Sequence, residues 1–321
     1  MRLFTKIKLL ILFVGIAAAL SYGYFQQLVH TPHLLPSETV FQIKSGDSLL
    51  KIAHNLREHK LIDAEWQFIL YAKIYRLYPK VKAGEYLVEE GLSIAGLAEL
   101  ISSGKQYLRK ITFAEGLTSA EISKILSANG FLCCEFTDFA EGGFLPETYT
   151  FSRDDNRQKI VTQAQNALNE VLNQAWEERD ADLPLKNKNE MLILASIVEK
   201  ETGVAHERPQ VASVFINRLR KGMLLQTDPT VIFALTLGKT ELERPLTRAD
   251  LAVDSPYNTY KYAGLPPTPI CNPGKASIMA VAHPDKTPYL YFVASGTGGH
   301  NFARTLEEHN ENVRKWRSLN K

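Results

Sequence analysis

The sequence predicts an α+β protein with an N-terminal single-pass transmembrane helix, a small α/β subdomain and a larger mixed α+β domain. Three observations support this. An uncharged apolar run opens the chain, short strand-like and helix-like segments alternate up to about residue 105, and longer amphipathic helices fill most of the remainder. With 321 residues, of which 45% are hydrophobic, the chain is long enough to form two modest cores.

The first element is the apolar run Leu9–Phe25, which with its neighbours approaches the ~20 residues that span a bilayer. Arg2, Lys6 and Lys8 precede the run, and the next Lys or Arg is Lys44. The positive-inside rule then puts the N-terminus in the cytoplasm. We predict a single-pass anchor (1–30) in the inner, cytoplasmic membrane, a connector (31–38) and a periplasmic or extracytoplasmic remainder.

A cleaved signal peptide is the alternative interpretation, because Ala17 and Ala19 form an A-x-A pattern at the end of the run. Both interpretations send the rest of the chain to the same side of the membrane. Removing the three basic residues before the run takes the net charge from +2 to −1. A nearly neutral remainder argues against a polyanion groove, so we predict no nucleic-acid partner.

The small subdomain is predicted over residues 39–105. Val40–Ile43 has the pattern of a strand, and Ser48 is placed to cap a helix. That helix would bury one face, formed by Leu49, Ile52, Ala53 and Leu56. A second helix (66–77), a second strand (81–88) and a helix ending near Gly104 complete the subdomain.

Lys44-Ser-Gly-Asp-Ser, between the first strand and helix, resembles the start of a LysM module. LysM folds bind polymers that contain N-acetylglucosamine. The insert 62–79 departs from the compact spacing of that module. Both a glycan-binding role and a role as a packing or spacer subdomain are therefore open for this LysM-like segment.

The larger domain is predicted over residues 106–321. Its predicted helices and strands are a joining strand (110–113), helices at 118–128, 157–178, 189–201, 208–221 and 306–319, and two strands near 289–294 and 301–303. Loops rich in Pro, Gly, Tyr and Thr follow Gly222, and such loops usually surround clefts. The three cysteines, Cys133, Cys134 and Cys271, are predicted as small thiols, with a bridge to Cys271 left open.

The helix around Glu190–Thr202 is apolar on nearly every side until Glu199. A helix that is apolar all round is buried, and burial of a carboxyl favours its protonated form. A general acid acting on a glycosidic oxygen needs that form. Glu201 is two residues away, roughly 200° around the helix, so both carboxyls are not expected to face one cleft. The alternative is a polar residue at a helix end, paired with a basic residue.

A series of motifs follows in order along the chain. They include Leu194-Ala-Ser-Ile-Val-Glu-Lys-Glu-Thr, Val211-Ala-Ser-Val-Phe-Ile-Asn-Arg-Leu, Leu225-Gln-Thr-Asp-Pro-Thr-Val, Tyr257-Asn-Thr-Tyr, Gly264-Leu-Pro-Pro, Ala282-His-Pro and Gly298-Gly-His-Asn-Phe. Together they resemble the endolytic murein transglycosylase family, also called MltG or YceG-like. The resemblance runs from the anchor to the last helix and implies that Glu199 is the catalytic residue.

The reaction that the resemblance implies is cleavage of the bond between N-acetylmuramic acid (MurNAc) and N-acetylglucosamine (GlcNAc) in peptidoglycan. Protonated Glu199 would donate to the linking oxygen, and the muramic C6 hydroxyl would then attack C1 to give a 1,6-anhydroMurNAc end. The resemblance also implies nascent glycan strands as substrate, penicillin-binding proteins or other peptidoglycan synthases as partners, and a role in terminating strand elongation. It implies no cofactor and no metal.

Sugar binding requires further polar groups. The candidates are Asn217, Gln226, Thr227, Asp228, Tyr257, Asn258 and Tyr260. For each of them the alternative is a hydrogen bond that anchors a loop or caps a helix. Asp228, directly before Pro229, is a good helix start.

The sequence gives weaker support to other functions. Ser196 and Lys200 lie four apart and could form a Ser/Lys hydrolase pair, although Lys200 could equally point to solvent. The histidines lack a zinc-site spacing, and His283 and His300 are predicted to be structural. The main alternative is a non-catalytic peptidoglycan-binding scaffold.

Overall fold

The computed structural model describes residues 2–32 and 38–319, with side chains from Phe4 onward. Most of the predicted connector, residues 33–37, lies outside this range. Eleven α-helices and six strands, paired as three two-stranded sheets, form the described part, so the predicted α+β class is confirmed. The chain divides into two compact units, Met1–Arg109 with Thr150–Arg153, and Lys110–Tyr149 with Asp154–Lys321.

The smaller unit begins with one long helix. Its elements are α1 (Arg2–His30), β1 (Thr39–Ile43), α2 (Leu49–Glu58), α3 (Glu65–Ile74), a 3₁₀ turn (Tyr78–Lys80), β2 (Gly84–Val88) and α4 (Ile94–Ser103). β1 and β2 are antiparallel, with Thr39 opposite Val88 and Ile43 opposite Gly84. The Ser48 side chain caps α2 by accepting from the backbone N–H of Lys51, as the sequence predicts.

The segment Phe4–His30 of α1 is long and apolar enough to cross a membrane. Most of its side chains are exposed, but Phe25 and Val29 are buried in the hydrophobic core of the smaller unit. The same core contains the buried face of α2 that the sequence predicts. The last two turns of α1 are therefore part of the folded unit.

The larger unit is mainly helical. Its helices are α5 (Ser119–Ala128), α6 (Arg157–Glu178), α7 (Lys188–Glu201), α8 (Arg208–Arg220), α9 (Asp228–Thr236), α10 (Lys275–Ala282) and α11 (Leu306–Leu319). Its strands are β5 (Tyr291–Ala294) and β6 (His300–Ala303), together with residues 110–112 of β3 (Arg109–Thr112) and residues 148–149 of β4 (Thr148–Phe151). The bounds of α6 and α11 agree with the prediction. The strand β4 and the helix α10 were not predicted.

The helix α7 packs against α6, α8, α9 and α10. Its residues 191–198 are all buried, which confirms the expectation of a helix that is apolar on every side. The last turn of α7 emerges from this core carrying Glu199 and Glu201. These two residues have different surroundings.

Candidate active site

A cavity of about 460 Å³ lies in the larger unit, where the end of α7 meets α8, the start of α9, β5 and α11. Aromatic and apolar side chains alternate in its wall with a few charged and polar groups. Its lining residues are Glu201, Phe215, Arg218, Leu225, Gln226, Asp228, Tyr260, Tyr291, Phe292, Val293, Leu306 and His309. A concave site with aromatic walls and a few convergent polar groups suits a sugar ligand.

Glu201, the last residue of α7, contributes a carboxyl group to this cavity. The hydroxyl of Thr227 donates a hydrogen bond to it. Burial raises the pKa of Glu201 above its ordinary value, and the nearby negative charge of Asp228 raises it further. The Thr227 hydrogen bond and the more distant His300 and Arg218 act in the opposite direction. The net effect favours a carboxyl that holds its proton.

The segment from Gln226 to Asp228 brings three of the predicted residues to Glu201. Gln226 has φ +50°, a left-handed conformation, and its N–H donates to the carbonyl of Thr259 at 3.1 Å. The N–H of Thr227 donates to the Thr259 hydroxyl at 3.1 Å. These bonds fix the turn before α9, so that Gln226 and Asp228 line the cavity while Thr227 reaches Glu201.

Tyr260 also lies in the cavity wall, as the sequence predicts for a binding residue. Its hydroxyl donates to Asp228 Oδ1 at 2.6 Å, within the range of a strong hydrogen bond to a carboxylate. Burial, followed by the negative charge of Asp228, raises the pKa of Tyr260. Tyr260 is therefore a neutral donor that holds Asp228 in place beside Glu201.

Arg218 brings a positive charge to the cavity. Its guanidinium donates to the carbonyls of Leu290 at 2.6 Å and Leu225 at 2.8 Å, and lies 5.1 Å from the ring centre of Tyr291. The backbone carbonyls and the aromatic ring hold the cation without neutralising it. Arg218 thus supplies positive potential to the cavity, which suits an anionic substituent such as a carboxylate.

His309, on α11, has a polar atom without a protein partner. Its Nδ1 is buried and makes no hydrogen bond to any residue that the structure describes. The ring stacks on Tyr291, with ring centres 5.3 Å apart. Burial and the nearby Arg218 lower the pKa of His309, which favours the neutral ring. Because a buried polar atom without a partner is unfavourable, a ligand hydroxyl in the cavity would satisfy it.

Glu199 has different surroundings. Its carboxyl accepts from the N–H of Gly274 at 2.9 Å and lies 3.5 Å from Arg208 Nη2, with its side chain 5% exposed. Arg208 is also 3.5 Å from Glu115. Gly274 is the N-cap of α10, so Glu199 tethers the start of that helix. Glu199 therefore does not line the cavity that contains Glu201, and its carboxyl lies between the N–H of Gly274 and the guanidinium of Arg208.

Three of the predicted binding residues have hydrogen-bond partners within the protein. Asn217 donates to the carbonyls of Thr287 at 2.8 Å and Tyr289 at 3.0 Å, and Asn258 donates to those of Leu251 at 3.0 Å and Val253 at 2.8 Å. The hydroxyl of Tyr257 is 2.8 Å from that of Thr268. These polar atoms have partners inside the protein, and the three residues do not line the cavity that contains Glu201. Sugar binding by Asn217, Tyr257 and Asn258 stays a prediction.

Ser196 and Lys200, the other candidate catalytic pair, have separate partners. Ser196 is fully buried and donates to the carbonyl of Ile193, whereas Lys200 is exposed and donates to that of Gly116. Across the described ranges, no group of three or more His, Cys, Asp and Glu side chains is placed to hold a metal ion. The three cysteines are free thiols, and Cys271 is buried. His300 pairs with Glu207 at 2.7 Å, a structural role as predicted.

The sequence interpretation missed Glu201, Arg218 and His309 as cavity residues. A signal for Glu201 existed, since it lies two residues from Glu199 in the same motif. Arg218 lies within the Phe-Ile-Asn-Arg-Leu motif, next to the residue that was chosen, Asn217. His309 lies on a solvent-facing helix pattern, and nothing local marks it.

Comparisons with known proteins agree with these motifs. The model of the YceG-like family matches residues 41–315. An endolytic murein transglycosylase of Bacillus subtilis (strain 168) is 34% identical over 309 residues, covering 85% of this chain and 83% of that protein. A protein of the same name from Streptococcus pneumoniae (strain D39) is 28% identical over 344 residues, and this chain spans 62% of its length.

Among solved structures, the crystal structure of a YceG-like protein from Listeria monocytogenes is similar, with a TM-score of 0.52 and 31% identity. The match covers 85% of this chain and 98% of that one. The family model spans both compact units, and the Bacillus relative is aligned over most of its own length. The chain therefore belongs to the YceG-like family.

Proposed function

We propose that this protein is an endolytic lytic transglycosylase that cleaves the β-1,4 bond from MurNAc to GlcNAc in peptidoglycan strands and leaves 1,6-anhydroMurNAc ends. The names of its relatives support the substrate and the reaction class. The observation that carries the proposal is the position of one protonatable carboxyl, Glu201, in a cavity of about 460 Å³ with aromatic walls.

We assign the acid–base role to Glu201 rather than to Glu199. Glu201 lines the cavity beside Gln226, Asp228 and Tyr260, and its raised pKa favours the protonated form that a general acid needs. Glu199 is already engaged by Arg208 and by the N–H of Gly274. A general acid needs both access to the substrate and a proton, and Glu201 has the surroundings that provide them.

In the proposed reaction, the Glu201 carboxyl donates its proton to the glycosidic oxygen as the C1–O bond breaks. The resulting carboxylate then takes the proton from the muramic C6 hydroxyl, whose oxygen forms the new bond to C1. The carboxyl ends the cycle protonated, and no water is consumed. Because the nucleophile belongs to the substrate, one carboxyl can serve both steps.

The surrounding residues have separate roles in this proposal. Thr227 orients the Glu201 carboxyl, and Asp228, held by Tyr260, keeps the pKa of Glu201 high and accepts from a sugar hydroxyl. Arg218 and His309 bind substituents of the sugar from the other side of the cavity. Gln226 contributes its amide to sugar binding.

A hydrolase is the second candidate, because Asp228 places another carboxyl in the same cavity. An inverting glycosidase uses such a second carboxylate to activate water. The product separates the two reactions, since hydrolysis yields reducing ends and the transglycosylase yields anhydro ends. A non-catalytic scaffold would yield neither.

The domain boundaries belong to the same proposal. Residues 39–105 form a LysM-like subdomain and residues 106–321 the transglycosylase domain. The Ser-Gly-Asp-Ser turn, directly before the capped start of α2, supports a role of this subdomain in engaging glycan.

We place the protein in the inner membrane, with a cytoplasmic N-terminus and a periplasmic or extracytoplasmic remainder. Lys6 and Lys8 before the apolar run of α1 support this orientation. The burial of Phe25 and Val29 in the core of the smaller unit supports a retained anchor, because that part of α1 belongs to the fold. Nascent strands are then the nearest substrate, and penicillin-binding proteins and other synthases the expected partners, in a role that ends strand elongation.

The test is to incubate the full-length protein, in detergent, with uncrosslinked glycan strands and to identify the new chain ends by mass spectrometry. We expect internal cleavage and 1,6-anhydroMurNAc ends. Reducing ends would show that the protein is a hydrolase and not a transglycosylase. Binding of glycan without new chain ends would show that it is a non-catalytic scaffold.

A further inference from the structure

We propose that α3 of the smaller unit lies in the surface of the membrane, with Trp66, Leu70 and Ile74 inserted at the boundary between headgroups and acyl chains. The smaller unit would then be docked on the bilayer by two elements, the spanning helix α1 and the surface helix α3. This inference rests on the proposed membrane anchoring of α1 and on nothing in the catalytic cavity.

The first observation is that α1 does not reach the smaller unit through a free tether. Phe25 and Val29 are buried in the core of the unit, and the backbone of Pro32 pairs with that of Ser93. Phe25 ends the apolar run of α1. The unit is therefore held against the point at which the apolar part of the helix ends.

The second observation sets the height of α3. Tyr22 and Tyr24 are exposed aromatic residues in the last turns of the apolar run, where tyrosine marks the interface of a spanning helix. The hydroxyl of Tyr75, directly after α3, lies 3.3 Å from that of Tyr22 and accepts from Gln26 at 3.0 Å. Tyr75 is thus at the level of the interface.

The start of α3 lies at the same level. The ring of Trp66 is 6.2 Å from that of Phe25. Along α1, Tyr22 and Gln26 contact Tyr75, Phe25 contacts Trp66, and His30 contacts Tyr71, so the contacts do not follow the order along α3. Two parallel helices would give contacts in register, so α3 crosses α1. In our proposal this crossing lies at the interface, with α3 along the membrane surface.

The third observation is an apolar stripe on α3. Trp66, Leu70 and Ile74 follow each other at intervals of four residues and so share one face, and they are 54%, 41% and 45% exposed. Lys73 and Arg76, at the end of the helix, add positive charge beside the stripe. An exposed tryptophan in an apolar stripe, with basic residues nearby, is typical of a surface at the membrane interface.

A bilayer is the occupant that fits these observations best. The stripe continues the exposed apolar surface of α1 at the depth where that helix leaves the membrane, and tryptophan is enriched at that depth. A protein partner would have to bind in the layer that lipid headgroups already fill. The acidic residue at the start of α3, Glu65, is paired with Arg57 at 3.1 Å, which reduces its repulsion of anionic lipid.

The test uses the full-length protein in vesicles of phosphatidylethanolamine and phosphatidylglycerol, part of whose lipid carries bromine at shallow or at deep acyl positions. The chain has three tryptophans, so Trp176→Phe with Trp316→Phe leaves Trp66 as the only one. The matched control, Trp66→Phe with Trp316→Phe, leaves Trp176 in the larger unit. Tryptophan emission then reports contact with lipid.

We expect shallow bromines to quench Trp66 more strongly than deep ones, consistent with insertion of about 5–10 Å. Trp176 should be quenched little by either. Adding Leu70→Glu and Ile74→Glu should reduce the quenching of Trp66, while the protein still floats with the vesicles through α1.

Two results would overturn the inference: quenching of Trp66 no stronger than that of Trp176, or quenching that the two glutamates leave unchanged. If the protein failed to float with the vesicles, α1 would not be a membrane anchor, and the inference would be wrong as well. The cleavage assay in detergent is independent of all these outcomes, so it shows separately whether the proposed reaction fails.

Discussion

The hydroxyl of Thr227 donates a hydrogen bond to the carboxyl of Glu201, and so joins the turn before α9 to the last residue of α7. Two residues earlier, Glu199 is held by Gly274 and Arg208 on another side of the same helix. Two carboxyls that are close in sequence therefore serve different parts of the larger unit.

Glu201→Gln should lower turnover by at least about 100-fold, because the amide keeps the shape of the side chain but cannot transfer a proton. Glu199→Gln, the matched control, should keep most of the activity. It should lose about 1–3 kcal/mol of stability, because the amide weakens the interaction with buried Arg208. Anhydro ends measured by mass spectrometry and unfolding in urea give the two readouts. Loss of activity in Glu199→Gln alone would show that Glu199 is the acid–base residue. Full activity in both variants would exclude a mechanism that depends on one of these two carboxyls.

The stability of the protein should depend on pH through Glu201. Burial raises its pKa in the folded state, so the folded state holds the proton more tightly than the unfolded state does. The resulting stabilisation is fully present below the unfolded pKa of about 4.3 and is lost as the pH rises through the folded pKa. Glu201→Gln should therefore raise Tm relative to the native protein more at neutral than at acidic pH.

Thermal unfolding of both proteins over a pH series checks this expectation. Glu307→Gln, which changes an exposed glutamate at the start of α11, is the control and should give a difference in Tm that varies little with pH. A difference for Glu201→Gln that is just as flat would contradict the raised pKa.

Tyr260→Phe should lower kcat/KM by about tenfold, since it removes the hydrogen bond to Asp228 in the cavity and leaves that carboxylate less well held. Tyr257→Phe removes a hydroxyl that bonds to Thr268 outside the cavity lining, so it should change stability by about 1 kcal/mol and activity little. Steady-state kinetics on one defined glycan compares the two. Equal effects on kcat/KM would argue against a site role for Tyr260.

His309→Phe should raise KM by about five- to tenfold with kcat nearly unchanged, because it removes a polar atom offered to the substrate. The phenyl ring can keep the stacking on Tyr291. The free protein should not be destabilised, since the lost Nδ1 has no partner among the described residues. His283→Phe, in which the lost partner is Asp180 away from the cavity lining, is the control for kinetics. A lower Tm without a change in KM would make His309 a structural residue.

Local sequence determined much of the fold. The cap of α2 at Ser48, the end of α4 at Gly104 and the bounds of α6 and α11 depend on side chains within one or two turns, so they could be predicted from short segments. The helix α10 was not predicted because Gly274, its N-cap, has no side chain to signal a start. The carboxyl that bonds to Gly274, Glu199, lies 75 residues away in the sequence.

By itself the sequence determined the α+β class, the apolar helix at the N-terminus, the family and the short segment that carries both glutamates. The tertiary structure decided which glutamate lines the cavity, and which groups Asn217, Tyr257 and Asn258 bond to within the protein. The helix α7 is apolar on all sides, so its periodicity does not indicate which neighbour covers which face. That choice follows from how α8, α9, α10 and α11 pack around the last turn of α7, and those contacts join residues that are distant in the sequence.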